Sequence, residues 1–236
     1  MATQRNTGTA RAVQAAETRQ RLIDTAVDLF SSRNYDDVAV TDIAQGAGVA
    51  HGLLFHYFGN KRGIYLATLQ EAATQLDAAF LIDPTLPPAQ QIRQAFAAHL
   101  QYLATHRGLA LRLILGGRGA DPEAREVFES ARSRALDAAA AVLGLDPANP
   151  GWAMMGRAAV AAIDEAAVHW LNNGELFETG AMVDCFVAIV ISALKGAHAL
   201  DANLDVDAAI QALSEDGGAG PEAARRRTTV GSSLKS

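Results

Sequence analysis

The chain has 236 residues and a formal net charge of −6, half of its residues are hydrophobic, and only 6% are aromatic. That length allows one large or two modest domains with a sizeable core, and the aromatic-poor, alanine-rich balance suits close-packed helices. The acidic balance argues against a general polyanion binder, the single Cys185 excludes an internal disulfide framework, and no basic-then-apolar leader opens the chain, so the expected setting is the cytoplasm.

Residues 1–16, with Arg5 and Arg11 but no periodic apolar face, read as a disordered arm. A first helix is predicted over about 17–33, where Leu22, Ile23, Ala26, Val27, Leu29 and Phe30 recur at three and four residues. A second runs from about Thr41 to Gln45, with Thr41 near its cap and Asp42 in the first turn, where a carboxylate suits the helix dipole. Gly46-Ala47-Gly48 then supplies a turn that needs positive φ. The third helix, about Val49 to Phe58, carries a stripe of Val49, one of Leu53 or Leu54, and Phe58.

Small Ala44 opposite Gly48, wedged by Ile43, Val49 and Leu54, is what two helices crossing steeply at close range require. A helix-turn-helix has that form, and its second helix can enter a DNA major groove. The apolar pattern alone fits an ordinary helical hairpin equally well. His51, His56, Tyr57, Lys61 and Arg62 favour the DNA reading, because they offer donors to bases or phosphates outside the apolar stripe.

A fourth helix is predicted over about 60–80, capped by Asn60, and the joint between domains is placed inside it. Asp83-Pro84-Thr85-Leu86-Pro87-Pro88 ends it. A fifth runs to about Thr105 and a shorter sixth covers 107–115. Gly116-Gly117-Arg118-Gly119 reads as a helix-breaking loop, since no Gly-Lys-Ser/Thr follows and no strand precedes it. Asp121-Pro122-Glu123 opens a seventh helix that ends at Leu143. The eighth covers about 150–171, the ninth about 179–199, and a short amphipathic piece 205–213; the tail from Ser214 is low in apolar content and reads as disordered. The apolar run Ala181 to Leu194 is interrupted by Asp184 and falls short of the roughly 20 residues of a membrane span. No β-alternation appears, so the expected fold class is all-α.

Charge is unevenly spread. Residues 1–65 hold Arg5, Arg11, Arg19, Arg21, Arg33, Lys61 and Arg62 against Glu17, Asp24, Asp28, Asp36, Asp37 and Asp42, so this head carries +1 and the remainder −7. A DNA-reading head on an acidic body would show that asymmetry.

Residues 19–65 resemble the DNA-binding domain of the TetR/AcrR family of regulators. The likeness rests on Leu29-Phe30, Tyr35, Val40-Thr41, Ile43-Ala44, Ala47-Gly48-Val49, Gly52, Tyr57-Phe58 and Asn60-Lys61 taken together. It implies an N-terminal three-helix helix-turn-helix domain over 17–65, joined by the fourth helix to a ligand-binding and dimerisation domain over 66–213. It also implies DNA contacts from Thr41, Ala50, His51, Gly52, His56, Tyr57 and Lys61, with His51 the best candidate for reading a base. Phe55 stands where the family often has Tyr, so a hydroxyl-to-phosphate contact is lost there and falls to His56 or Tyr57.

The eighth and ninth helices are apolar around most of their circumference and must bury two faces. The resemblance supplies the second partner, another copy in a homodimer through these two helices, which suits a palindromic operator. It also implies an effector pocket with candidate lining Phe96, His99, Tyr102, Leu103, Leu113, Trp152, Met155, Asp164 and His169. A pocket of that character favours a small, largely apolar effector, and a loose likeness around Trp152 to Leu171 suggests a lipid or acyl thioester. No metal, cofactor or membrane partner is expected.

The leading reading is therefore a ligand-responsive transcriptional repressor. One alternative is an interaction module that keeps the fold without specific DNA readout, left open by Phe55 and the modest charge of the head. Another is an all-helical enzyme using His99, His106 or His169 with Asp164 or Glu165. No metal-spaced set such as HExxH exists, and Cys185 lies in an apolar run without a nearby base, so no enzyme is expected.

Overall fold

The computed structural model describes residues 3–79, 83–108, 111 and 122–215, and the described residues contain helices and connecting turns without a strand. The helices are α1 (Thr3–Ser32), α2 (Val40–Gly46), α3 (His51–Phe58), α4 (Lys61–Ala79), α5 (Pro88–Thr105), α6 (Pro122–Leu143), α7 (Pro150–Asn172), α8 (Thr179–Leu200) and α9 (Asp207–Glu215). The all-α expectation is met. Most of the sixth predicted helix, the Gly116–Gly119 loop and the tail beyond Glu215 lie outside the described residues, so α6 here is the seventh predicted helix.

Two compact units divide the chain. The first comprises 1–79, 99–134 and 171–174, and the second 80–98, 135–170 and 175–236. The whole of α4 packs with the first unit, whereas the expected joint lay inside it. α1 begins at Thr3, not near residue 17, so the expected arm is helical from Thr3 onward. Ala, Arg and Gln are good helix formers, and a helix nucleated by the stripe at 22–30 propagates through them without an apolar face.

The core of the first unit is set by that stripe. Leu22, Ala26 and Phe30 of α1 are fully buried with Ile43, Leu54 and Ile64 from the next three helices. Phe30, Tyr35 and Tyr65 form an aromatic cluster with ring centroids 4.9 to 5.9 Å apart, joining the end of α1 to the start of α4.

The turn between α2 and α3 is closed entirely by backbone. Gly48 N–H donates to Gln45 O at 3.1 Å and Val49 N–H to Ala44 O at 3.0 Å. This pair of bonds is a Schellman motif, with Gly48 at φ +66° in the left-handed position that glycine occupies without strain. Because Val49 is spent closing the turn, α3 starts at His51, two residues later than predicted. The core-facing choice between Leu53 and Leu54 falls to Leu54, which is fully buried, while Leu53 is 37% exposed. The N-cap of α2 is Ala39 with no side-chain cap, so Thr41 lies inside the helix and does not cap it as expected. Asn60 does cap α4, its Oδ1 accepting from Gly63 N–H at 2.8 Å.

In the second unit α7 and α8 cross closely. A Cβ at Gly151 would lie 2.7 Å from Ala197 O, so only glycine permits the approach. Asn149 fastens the crossing, with Oδ1 accepting from Trp152 N–H at 3.0 Å and Nδ2 donating to Asp201 Oδ2 at 2.8 Å. By length and composition α8 is apolar enough to cross a membrane, being longer than the run marked in the sequence. Phe186, Val190 and Leu194 are nonetheless buried within this unit, and Asp184 pairs with Arg93 at 2.6 Å.

The two adjacent leucines make the burial assignment testable. Leu54→Ala is expected to cost about 2–5 kcal/mol of unfolding free energy, and Leu53→Ala less than about 0.5 kcal/mol, by guanidinium titration. Equal losses would place the wrong leucine in the core.

Candidate nucleic-acid interface

The eight-residue α3 buries one side chain, Leu54. With about 100° per residue, its opposite face is centred on Gly52 and His56, with Phe55 on one flank and Leu53 on the other. His51, Gly52, Leu53, Phe55 and His56 are all exposed, and Tyr57 is half-buried. The His51 and Phe55 rings meet edge to face with centroids 5.0 Å apart. His56 and Tyr57 make a similar contact at 5.2 Å.

Ala50, exposed, is the residue at the N-cap of α3, with extended backbone at φ −64° and ψ 135°. Ala50, His51 and Gly52 therefore form the tip of the helix, as expected. Thr41 is exposed on α2. Asp42 beside it pairs with Arg33 at 3.2 Å. Lys61 is not extended into solvent. Its Nζ lies 4.4 Å from the centre of the Tyr35 ring and donates to Asp36 O at 3.4 Å. Arg19 lies over Phe58 at 5.2 Å, a seat that the sequence did not indicate.

Two ion pairs tie α4 to α6 within the first unit, Arg62 with Glu123 at 3.0 Å and Asp77 with Arg134 at 2.6 Å. In exposed positions such pairs contribute little to stability, but they fix which residues face one another. Neither pairing was legible in the sequence, because the partners are far apart along it.

The candidate effector residues separate. In the first unit His99 and Leu103 are buried, and half-buried Tyr102 stacks on His106 at 4.4 Å and donates to Gln75 Oε1 at 3.5 Å. Burial, with a smaller push from the Glu71 carboxylate, holds the Tyr102 phenol up at about 12. Leu113 lies outside the described residues. In the second unit Trp152 and Asp164 are buried, and Phe96 meets Phe186 edge to face at 5.4 Å. The other two candidates are more open. His169 is exposed on α7, because its position in the helix turns away from the buried Ala167, Val168 and Trp170. Met155 lines an open groove between α7 and α8, shared with Ala158, Ala162, Cys185, Ala188, Ile189 and Ser192, of about 380 Å³.

Residues 22–68 match the family described as "Bacterial regulatory proteins, tetR family". The chain is 36% identical over 63 residues to the HTH-type transcriptional regulator BetI of Klebsiella pneumoniae, covering 27% of this chain and 32% of that protein. It is 35% identical over 72 residues to the HTH-type transcriptional regulator SrpR of Pseudomonas putida, covering 30% and 34%. The match thus spans about a third of the length of these curated relatives. Among solved structures, a tetR-family transcriptional regulator from Streptomyces coelicolor aligns with TM-score 0.75 at 22% identity, over 90% of this chain and 96% of that one. The regulator FadR from Bacillus subtilis, in complex with stearoyl-CoA, aligns with TM-score 0.59 at 22% identity, over 74% and 98%. These structures share the fold.

Burial of His99 has a consequence for stability. Desolvation lowers its imidazole from 6.5 to about 4, so the folded protein keeps it neutral while the unfolded chain takes up a proton. Its contribution is complete above the unfolded value and is lost as pH falls from 6.5 towards 4, by up to roughly 3 kcal/mol. The melting temperature is expected to fall between pH 7 and pH 5, and His99→Leu to flatten that dependence. An unchanged slope in the variant would assign the pH effect elsewhere.

Proposed function

We propose that the chain, whose residues 22–68 match the family of bacterial regulatory proteins named tetR, is a ligand-responsive repressor. It binds a palindromic operator as a homodimer and is released by a small, largely apolar effector. In this reading the chain is a DNA-binding regulator and not an enzyme; the relatives it matches are named HTH-type transcriptional regulators. The outer face of α3 carries this reading, with exposed His51 at its tip beside a glycine that leaves the helix free to approach base edges, and exposed His56 towards its other end. In this reading Ala50, His51 and Gly52 meet the bases, while Thr41, His56, Tyr57 and Lys61 meet the backbone. Lys61 needs only to exchange the Tyr35 face for a phosphate.

The α7–α8 groove supports the dimer. Its lining is almost wholly apolar and, apart from buried Ala159 and Ala193, exposed or half-buried, and Met154 on α7 is 64% exposed. An apolar face of this kind on a regulator is best covered by a second copy. Two FadR neighbours were solved with stearoyl-CoA and lauroyl-CoA, which supports an acyl thioester as the effector class. Its candidate contacts fall into two separate sets, His99, Tyr102 and Leu103 in the first unit and Phe96, Trp152 and Asp164 in the second. Release follows a population shift, in which the effector prefers a conformation whose α4 carries the reading heads out of register with the half-sites. The expected location is the cytoplasm, with the DNA.

Fluorescence anisotropy on DNA upstream of the protein's own gene, at two salt concentrations and against scrambled competitor, tests the core of this reading. Binding that prefers the native sequence and is relieved by a long-chain acyl-CoA is the expected result. Equal affinity for the scrambled DNA and for every site from a genomic selection would overturn it. Lys61→Ala is expected to weaken binding to all sequences and reduce the salt slope by about 1, whereas His51→Ala relaxes the preference at one base position.

A further inference from the structure

Large apolar side chains are rarely left on a surface without a use when they share a face with polar recognition groups. Among the described residues of the first unit, the exposed large apolar side chains are Val13, Leu53 and Phe55, and the last two belong to the same short helix. They are not spare core residues, because Leu54 between them fills the core position completely. They flank Gly52, whose missing side chain meets nothing within 4 Å. The space above the centre of the face is therefore open, and the two apolar flanks stand on either side of it.

Phe55 is also oriented. It lies one turn from His51, and the edge-to-face contact at 5.0 Å and 65° between rings sets both on one flank. A phenyl ring can donate no hydrogen bond, so its contribution to binding must come from apolar contact. In the major groove one base offers an apolar group on its edge, thymine with its C5-methyl.

We propose that Phe55 and Leu53 read thymine C5-methyl groups in each operator half-site, and that Phe55 positions the His51 ring for the neighbouring base. This rests on the reading of α3 as the major-groove helix and adds to it a base identity. It also accounts for the phenylalanine. A protein partner on the same patch is the competing occupant, and it predicts no dependence on thymine.

Deoxyuridine separates these cases, because it keeps every hydrogen-bonding group of thymine and lacks only the methyl. An operator is first obtained by selection with the full-length protein from genomic fragments. Each half-site thymine is then replaced singly by deoxyuridine, and affinities are measured by anisotropy. Loss of about fourfold per contacted methyl is expected, at one or more positions per half-site. Phe55→Ala and Leu53→Ala should each weaken binding to the thymine operator and abolish the penalty at one of these positions. Both are exposed, so melting temperatures near that of the unaltered protein confirm folding. Base preference at the position read by His51 should broaden in Phe55→Ala as well. If every deoxyuridine operator binds as tightly as the thymine operator, or the penalties persist in both variants, the proposal is wrong while the regulator stands. If selection yields no preferred sequence, the regulator reading itself fails and takes the proposal with it.

Discussion

Helices of seven and eight residues are below the length at which an isolated helix persists in water, so α2 and α3 depend on what α1 and α4 lay against them. Their own contributions to the core are few: Ile43, Ala44 and Leu54. Most of what packs against them comes from the stripe of α1, from Val38 before α2, and from Ile64, Leu69 and their neighbours on α4. The aromatic cluster of Phe30, Tyr35 and Tyr65 closes this clasp at one end. The angle between α2 and α3 is set by two backbone hydrogen bonds around Gly48. In the proposed reading, the DNA-facing helix is held in place by residues that face the core.

The second unit uses a different device. There the close crossing of α7 and α8 depends on small residues, above all Gly151 against the Ala197 carbonyl. The acid that interrupts the apolar α8 is matched by Arg93. Burying both inner faces this way leaves an outer apolar groove uncovered. In the proposed dimer a second copy covers that groove.

Where the sequence was informative, it was so for local reasons. Periodicity at three and four residues marked the α1 stripe, and two glycines two residues apart marked the turn. Asn60 before a helical run marked a cap that its bond to Gly63 N–H realises. Adjacent Leu53 and Leu54 could not be separated by spacing alone, since either continues the stripe; the two-residue delay in the start of α3 decides it. The start of α1 was missed because propagation of an established helix needs no apolar face. The effector residues were the least legible. Which side of α7 turns inward depends on α8 and on the crossing angle, so the exposure of His169 and the half-burial of Met155 had no local signature. The seat of Lys61 on Tyr35 joins residues far apart in sequence and leaves no local signature.

A helix with a single buried side chain has an unusual freedom. Fold stability constrains Leu54 and the backbone around Gly48, while five exposed positions of α3 answer only to the ligand they meet. Substitutions at 51, 52, 53, 55 and 56 can therefore change without dismantling the head. If the proposed function holds, new operators can be acquired by drift on this one surface alone. The same separation makes this head a suitable scaffold for retargeting, since a library confined to those five positions would sample specificity and leave folding alone.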